Sequence, residues 1–296
     1  MILQETFTLP NGIEIPKLGL GTWMIPDDDA ARVVRDAIEI GYRHFDTAQA
    51  YANERGVGEG LRSSSLQRDQ FFVTTKLAAE CKNYAQAKDL IDGSLQTLGL
   101  DHIDMMLIHS PQPWAEFREG KHFFEGNLEA WRALEEAHRG GKLRAIGVSN
   151  FERADLDNLL DNGSVKPMVN QVLAHVGNTP FDLIDYSRSK DILVEAYSPV
   201  GHGALLNNAE IKSLAEKYDV SVAQLCIRYC FQLGLLPLPK TTNAAHMRTN
   251  AALDFVISDA DIATLKDAQE NTDYGAASKF PVFGKKREMN RTTPER

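Results

Sequence analysis

The hydrophobic pattern switches repeatedly between short apolar runs and segments whose apolar residues recur every three or four positions. Short runs of this kind read as buried strands, and the three-to-four spacing reads as one face of a helix. Phe7 to Ile15 alternates around Asn11-Gly12 and predicts a hairpin over about residues 6–16, closed by a tight two-residue turn. A short strand, Leu18-Gly19-Leu20, follows. Asp28 to Ile40 predicts a helix: acidic residues open it, Ala30, Val33, Val34, Ala37 and Ile38 share a face, and Gly41 closes it. Further strands are predicted at Tyr42–Asp46, Phe71–Thr75, Ile103–Ile108, Leu143–Val148, near Met168–Gln171, at Ile192–Ala196 and at Leu235–Leu238. Between them lie a helix capped by Asn83 and stopped by Gly99, one through Trp131 and Leu134, one from Arg153 to Leu160, and one from Ser221 to about Leu233.

That makes about eight strands with helices between them, and no Gly/Ser linker divides the chain. Alternating β and α with near-continuous apolar strands argues a parallel sheet covered by helices. Eight such units in about 250 residues argue a closed (β/α)8 barrel, an α/β fold in which residues 1–296 form a single domain. After Asn271 the pattern fades, so residues 271–296 read as an irregular tail, with Phe280 and Phe283 expected to pack on the barrel wall.

Composition narrows the function classes. The formal net charge of −9 disfavours binding to a nucleic-acid backbone. No apolar run reaches the roughly 20 residues of a membrane helix, and the N-terminus lacks the basic and apolar regions of a signal peptide. Cys81, Cys226 and Cys230 are too few for a disulfide framework. Cys226 and Cys230 can share a helix face, but no further ligand pair lies at metal spacing, so they read as buried structural thiols and no metal is expected. Together these features point to a cytoplasmic protein, expected to be a monomer.

Three successive strands end in groups capable of acid–base chemistry. The first ends at Asp46, with Tyr51 five residues on; the second ends at Lys76; the third ends at His109. In a (β/α)8 barrel these ends converge on one face. Taken singly, each has a plain structural explanation as a solvated strand end or a packed ring. Together they form a tuned general acid. A free tyrosine, with a pKa near ~10, gives up its proton reluctantly at neutral pH; an ammonium beside it favours the phenolate, and a carboxylate holds the ammonium in place. An imidazole can orient a substrate oxygen. Such a set suits protonation of a carbonyl oxygen as hydride arrives. The glycine pairs Gly19/Gly21, Gly56/Gly58 and Gly201/Gly203 all fail the G-x-G-x-x-G fingerprint, so a dinucleotide would have to bind at barrel loops.

Gly41-Tyr42-Arg43-His44-Phe45-Asp46-Thr47-Ala48, followed by Tyr51 and Asn53-Glu54, closely resembles the signature of the aldo-keto reductase superfamily, in particular its prokaryotic, diketogluconate reductase-like members. Leu107-Ile108-His109, Gly147-Val148-Ser149-Asn150-Phe151, Asn170-Gln171, Tyr197-Ser198-Pro199 and Leu238-Pro239-Lys240-Thr241 are similar to further family motifs in the same order. The resemblance implies a barrel that uses NADPH without a Rossmann fold to reduce a small-molecule carbonyl substrate. By matched position, Tyr51 is the implied proton donor, Lys76 and Asp46 its tuning pair, and His109 the substrate-orienting group. Thr22 and Trp23 are implied near the nicotinamide ribose and pocket wall. Ser149, Asn150 and Gln171 would hold the carboxamide, and Tyr197 would stack on the ring. Ser198 and the Val200 backbone would meet the pyrophosphate, and Lys240 and Thr241 the adenosine 2′-phosphate.

The sequence also departs from the family. His246 stands where NADPH-preferring members usually carry Arg, and a neutral imidazole holds a phosphate less well than a guanidinium. Arg248 could compensate from two residues out of register; Thr249 replaces a frequent Glu, while Asn250 is kept. A weakened NADPH preference with dual use of NADH is therefore expected. Ser110 replaces a frequent Trp, and Trp114 is the candidate to line the pocket instead. Leu173 and Ala174 replace a frequent acidic residue, a change with no functional meaning at this level. Two other classes compete with a reductase: a cofactor-binding regulatory protein with little turnover, and, less well supported, a barrel hydrolase.

Overall fold

The computed structural model describes residues 1–284. Eight parallel strands stand side by side in chain order: β3 (Leu20–Gly21), β4 (His44–Asp46), β5 (Phe72–Leu77), β6 (Ile103–Ile108), β7 (Leu143–Ser149), β8 (Val169–Leu173), β9 (Leu193–Tyr197) and β10 (Leu236–Leu238). The ring closes where Gly19 and Gly21 N–H groups donate to the carbonyls of Pro237 and Pro239, at 3.3 and 3.0 Å. The expected (β/α)8 barrel is the observed one. β5 and β6 are buried along their whole length, as their continuous apolar runs require.

The hairpin precedes the barrel, with β1 (Thr6–Thr8) antiparallel to β2 (Glu14–Pro16). Its turn is not the expected two-residue type, which needs positive φ at both central residues. Pro10 fixes φ at the first turn position, and only Gly12 is left-handed (φ +83°). Leu9 N–H instead donates to Ile13 O at 2.8 Å, giving a three-residue loop of Pro10, Asn11 and Gly12. Asn11 Nδ2 donates to Arg144 O at the start of β7, which sets the hairpin at the N-terminal end of the barrel. At the same end, buried Asp104 accepts from Arg68 and Arg144, each at 2.7 Å, and from Val73 N. Those charges stitch β5, β6 and β7 together on the face opposite the candidate site.

Helices alternate with the strands: α1 (Asp27–Ile40), α2 (Glu54–Arg62), α3 (Tyr84–Leu98), α4 (Phe124–Arg139), α5 (Arg153–Asn162), α6 (Phe181–Ser189), α7 (Ala209–Lys217), α8 (Val222–Gln232), α9 (Ala244–Ala251) and α10 (Asp259–Lys266). The stop signals behave as their chemistry predicts. Gly41 and Gly99 take left-handed φ of +117° and +65° after α1 and α3, and the Asn83 side chain accepts from Gln86 N at the start of α3. Cys226 and Cys230 are buried in α8, and burial pushes the Cys226 thiol up to about 12, in keeping with inert core residues.

Helix α2 carries three glycines, Gly56, Gly58 and Gly60, among its nine residues. A Cβ at Gly56 would sit 2.1 Å from Asp27 O, and one at Gly58 would sit 2.2 Å from Leu98 O. These glycines let α2 lie directly on the start of α1 and the end of α3. The tail is more ordered than its pattern suggests: Gly275–Lys279 and Pro281–Phe283 form short 3-10 turns. From Lys285 onward the predicted tail lies outside the described residues.

Candidate active site

Asp46 ends β4, Lys76 is the penultimate residue of β5, and His109 follows β6 directly, so all three reach the C-terminal rim. Tyr51 arrives on a 3-10 turn, Gln49–Tyr51. Gln49 pins this turn: its Nε2 donates to Leu90 O and Ser94 Oγ, both at 2.9 Å, and its Oε1 accepts from Ala78 N. Asn53 holds the other side, donating to Thr22 O and Ile25 O while accepting from Thr47 Oγ1.

The Lys76 ammonium is fully buried, and each of its three hydrogens has an acceptor: Asp46 Oδ1 at 2.6 Å, Thr47 O at 2.9 Å and Tyr51 Oη at 3.2 Å. Burial works against its charge, but Asp46 and Tyr51 outweigh burial and hold the ammonium above its ordinary range. Because Lys76 donates to Oη, the phenol hydrogen is left for an acceptor in the cavity. Burial pushes the resting phenol above its ordinary value; the Lys76 charge pulls it down, and Asp46 pushes it up. The expected lowering of Tyr51 is thus corrected for the resting site, because desolvation outweighs the ammonium.

His109 is buried, and burial with the nearby Lys76 charge depresses its pKa well below the ordinary value, which makes the ring neutral. Its ring meets Tyr51 edge-on at 5.5 Å and Trp114 at 5.0 Å between centroids. Trp114 lines the cavity, and so does Trp23. The tail expectation is corrected here. Phe280 packs 4.8 Å and Phe283 6.0 Å from Trp23, and both line the cavity rather than the barrel wall. Apolar Leu173 packs against this tail cluster, which gives a structural role to a substitution that the sequence left unexplained. His202, unnoticed in the sequence, joins the same wall, 5.0 Å from Trp23 and 4.7 Å from Phe283.

The cavity has a volume of about 940 Å³ and runs from Tyr51, His109 and the aromatic wall past Ser149, Asn150, Gln171 and Tyr197. It continues along Ser198 and Val200 to Lys240, Thr241, His246, Thr249 and Asn250. Three expected residues are not on it: Lys76, which lies buried behind Asp46 and Tyr51, Thr22 and Arg248. Thr22 is fully buried, and its hydroxyl donates to Asp46 O at 2.9 Å, so it braces the strand end instead. Exposed Arg248 follows His246 by two positions on α9, where the helical turn carries it to a different face, so it does not compensate for His246.

The middle of the cavity is polar. Ser149 Oγ donates to Gln171 O, Asn150 Nδ2 donates to His109 O at 3.0 Å, and the Tyr197 hydroxyl donates to Asn150 Oδ1 at 2.7 Å. Asn150 and Ser198 take left-handed φ of +62° and +53°, a conformation that Asn tolerates better than most residues. Behind them, Gln171 Nε2 donates to Asp46 Oδ2 at 2.8 Å and to Glu195 Oε2 at 2.7 Å. Glu195 was missed because it sits inside an apolar strand run. A lone acidic residue at an inward strand position was the available signal.

This donor and acceptor set suits a nicotinamide dinucleotide. Polar groups able to hold an amide lie beside Tyr51, and Lys240, the sole Lys or Arg on the cavity wall among the described residues, stands with His246 at the other end. Among the described residues there is also no group of three or more His, Cys, Asp or Glu that could hold a metal ion, and no helix long and apolar enough to cross a membrane.

Comparison with known proteins agrees with the geometry. The model of the Aldo/keto reductase family matches residues 17–270. The chain is 39% identical to a glyoxal reductase of Bacillus subtilis over 88% of this chain and 91% of that protein. Among solved structures, an aldo/keto reductase from Brucella melitensis superposes with a TM-score of 0.82 at 36% identity, covering 88% of this chain and 98% of that one. An aldo-keto reductase of Bombyx mori in complex with NADP superposes with a TM-score of 0.83 at 31% identity, covering 94% and 98% of the two chains.

Proposed function

The chain belongs to the aldo/keto reductase family, and from that premise we propose that it reduces small aldehydes or ketones to alcohols with Tyr51 as general acid. A bound reduced nicotinamide supplies the hydride; the chain's own residues do the rest. Ser149, Asn150 and Gln171 hold the carboxamide, and Tyr197 supports the ring. The carbonyl oxygen sits between Tyr51 Oη and His109. As negative charge develops on it, the phenol hydrogen moves to the oxygen, and the Lys76 N–H bond to Oη strengthens as phenolate character grows. Asp46 keeps Lys76 charged and fixed through that step. The neutral His109 ring has one N–H, and its buried Nδ1 faces no partner. An unpaired buried N–H is the rarer state, so the hydrogen belongs on Nε2, where it donates to the substrate oxygen.

The observation that carries this reading is the chain of contacts Asp46–Lys76–Tyr51, with the phenol hydrogen left free toward a cavity walled by aromatic rings. The aromatic wall and the glyoxal-reducing relative favour short aldehydes and dicarbonyls as the first substrates to try. At the other end, His246 replaces a fixed positive charge at the 2′-phosphate position, so NADPH is used with only moderate preference and NADH also serves. The test is a carbonyl panel, beginning with glyoxal and simple aldehydes, followed by loss of reduced-nicotinamide absorbance with each cofactor. Binding of both cofactors without turnover of any carbonyl would favour a regulatory barrel instead.

A further inference from the structure

Gln171 and Glu195 face each other in register on the parallel strands β8 and β9, and both are buried inside the barrel. The Gln171 amide nitrogen lies between two carboxyl groups, 2.8 Å from Asp46 Oδ2 and 2.7 Å from Glu195 Oε2. An amide nitrogen has two hydrogens, and both are taken. The reversed amide would set its oxygen against the Asp46 carboxylate, which is already committed to Lys76, so that orientation is repelled. Gln171 lines the cavity, and its Oε1 is therefore the atom left to meet whatever lies there.

We propose that Glu195 is a positioning residue for the cofactor: with Asp46 it locks the Gln171 amide so that its oxygen, not its nitrogen, is presented to the nicotinamide carboxamide. The amide of the cofactor is then recognised through one of its own N–H groups. Two carboxyls about one amide are tolerable because only one carries charge: burial and the neighbouring Asp46 push the Glu195 carboxyl up to about 8. From β10, the residue registered against Glu195 is apolar Leu236, and the charged groups that bear on the carboxyl are Asp46 and Lys76. Its second oxygen, Oε1, is buried without a partner among the described residues. An acid held in that state stabilises the core little, which points to the Gln171 contact as its use.

The inference rests on the cofactor use proposed above, and the experiment separates the two. Calorimetric Kd values are measured for NADP and for its 3-acetylpyridine analogue, in which a methyl group replaces the carboxamide –NH2. The native chain should prefer NADP by at least about fivefold, the equivalent of one neutral hydrogen bond. In Glu195→Leu the Gln171 amide keeps only its Asp46 bond and is less firmly held, and the ratio should fall by at least about twofold. Glu195→Gln retains an acceptor for Gln171 Nε2 and should restore the native ratio. A Glu195→Leu protein with an unchanged preference overturns the inference, whereas a native chain that binds neither dinucleotide overturns the cofactor reading instead. Should Glu195→Leu not fold, the Gln171 side-chain amide resonances of the native chain are followed from pH 6 to 9. One of the two amide hydrogens should shift as Glu195 ionises, and two unmoved resonances would count against the lock.

Discussion

Lys76 donates to the Tyr51 phenol oxygen across 3.2 Å, with its other two hydrogens held by Asp46 and Thr47. The ammonium therefore cannot turn away, and stabilisation of the phenolate is in place before any proton moves. Replacing Lys76 by Met removes that donor and leaves Asp46 buried with an unpaired charge. kcat for carbonyl reduction should fall by about 100-fold or more, and Tm should fall as well, because breaking a buried pair costs about 3–5 kcal/mol. Single-turnover kinetics and a melting curve on the same preparation check both halves.

In the proposed function, His246 sets the cofactor balance. His246→Arg places a fixed charge on the wall that Lys240 and Thr241 already line. A charge-assisted hydrogen bond to phosphate is worth about 1.5–3 kcal/mol, so the NADPH to NADH ratio of kcat/KM should rise by about 10-fold or more. For the native chain a ratio above about 1,000 would contradict the weakened preference inferred here.

Trp114 packs edge-on to His109 at 5.0 Å. Trp114→Ala should raise KM for aromatic aldehydes by about 5- to 30-fold, equivalent to 1–2 kcal/mol of lost ring contact, and should leave NADP affinity unchanged. Equal losses for cofactor and carbonyl would mean that the ring only supports the loop.

Glu195 gives the fold a pH signature. Its carboxyl is raised in the folded chain to about 8 from an ordinary 4.5. Between those two values the folded state binds more protons than the unfolded one, so stability contributed by the neutral acid is present below 4.5 and lost as pH rises toward 8. The slope is at most about 1.4 kcal/mol per pH unit for one proton. Relative to Glu195→Gln, the native chain should therefore lose Tm steadily from about pH 5 to 8. Parallel curves for the two proteins would show that Glu195 does not titrate in this window.

Much of this molecule was legible in its sequence because strands buried on both faces announce themselves as continuous apolar runs. Ile103–Ile108 was readable to the residue, and with it the place of His109; the strands that carry Asp46 and Lys76 were readable to within about two residues at each end. Helix α2 was hidden by Gly56, Gly58 and Gly60, residues that disfavour helix locally yet are demanded by the close approach of α1 and α3. The tail was hidden because Phe280 and Phe283 pack by tertiary contact with Trp23, with no period to betray it. The resting Tyr51 phenol was misjudged because charge partners can be read from sequence, whereas the degree of desolvation depends on the closed barrel.

The proton donor is the centre of the account, and Tyr51→Phe tests it most directly. The substitution removes one oxygen and keeps the ring that packs near Trp23 and His109. NADP affinity should stay within about twofold of the native chain, while kcat for aldehyde reduction should fall on the order of 100- to 10,000-fold, the range of general-acid catalysis. A variant with native NADP affinity and near-native kcat would contradict the assignment of Tyr51 as the general acid.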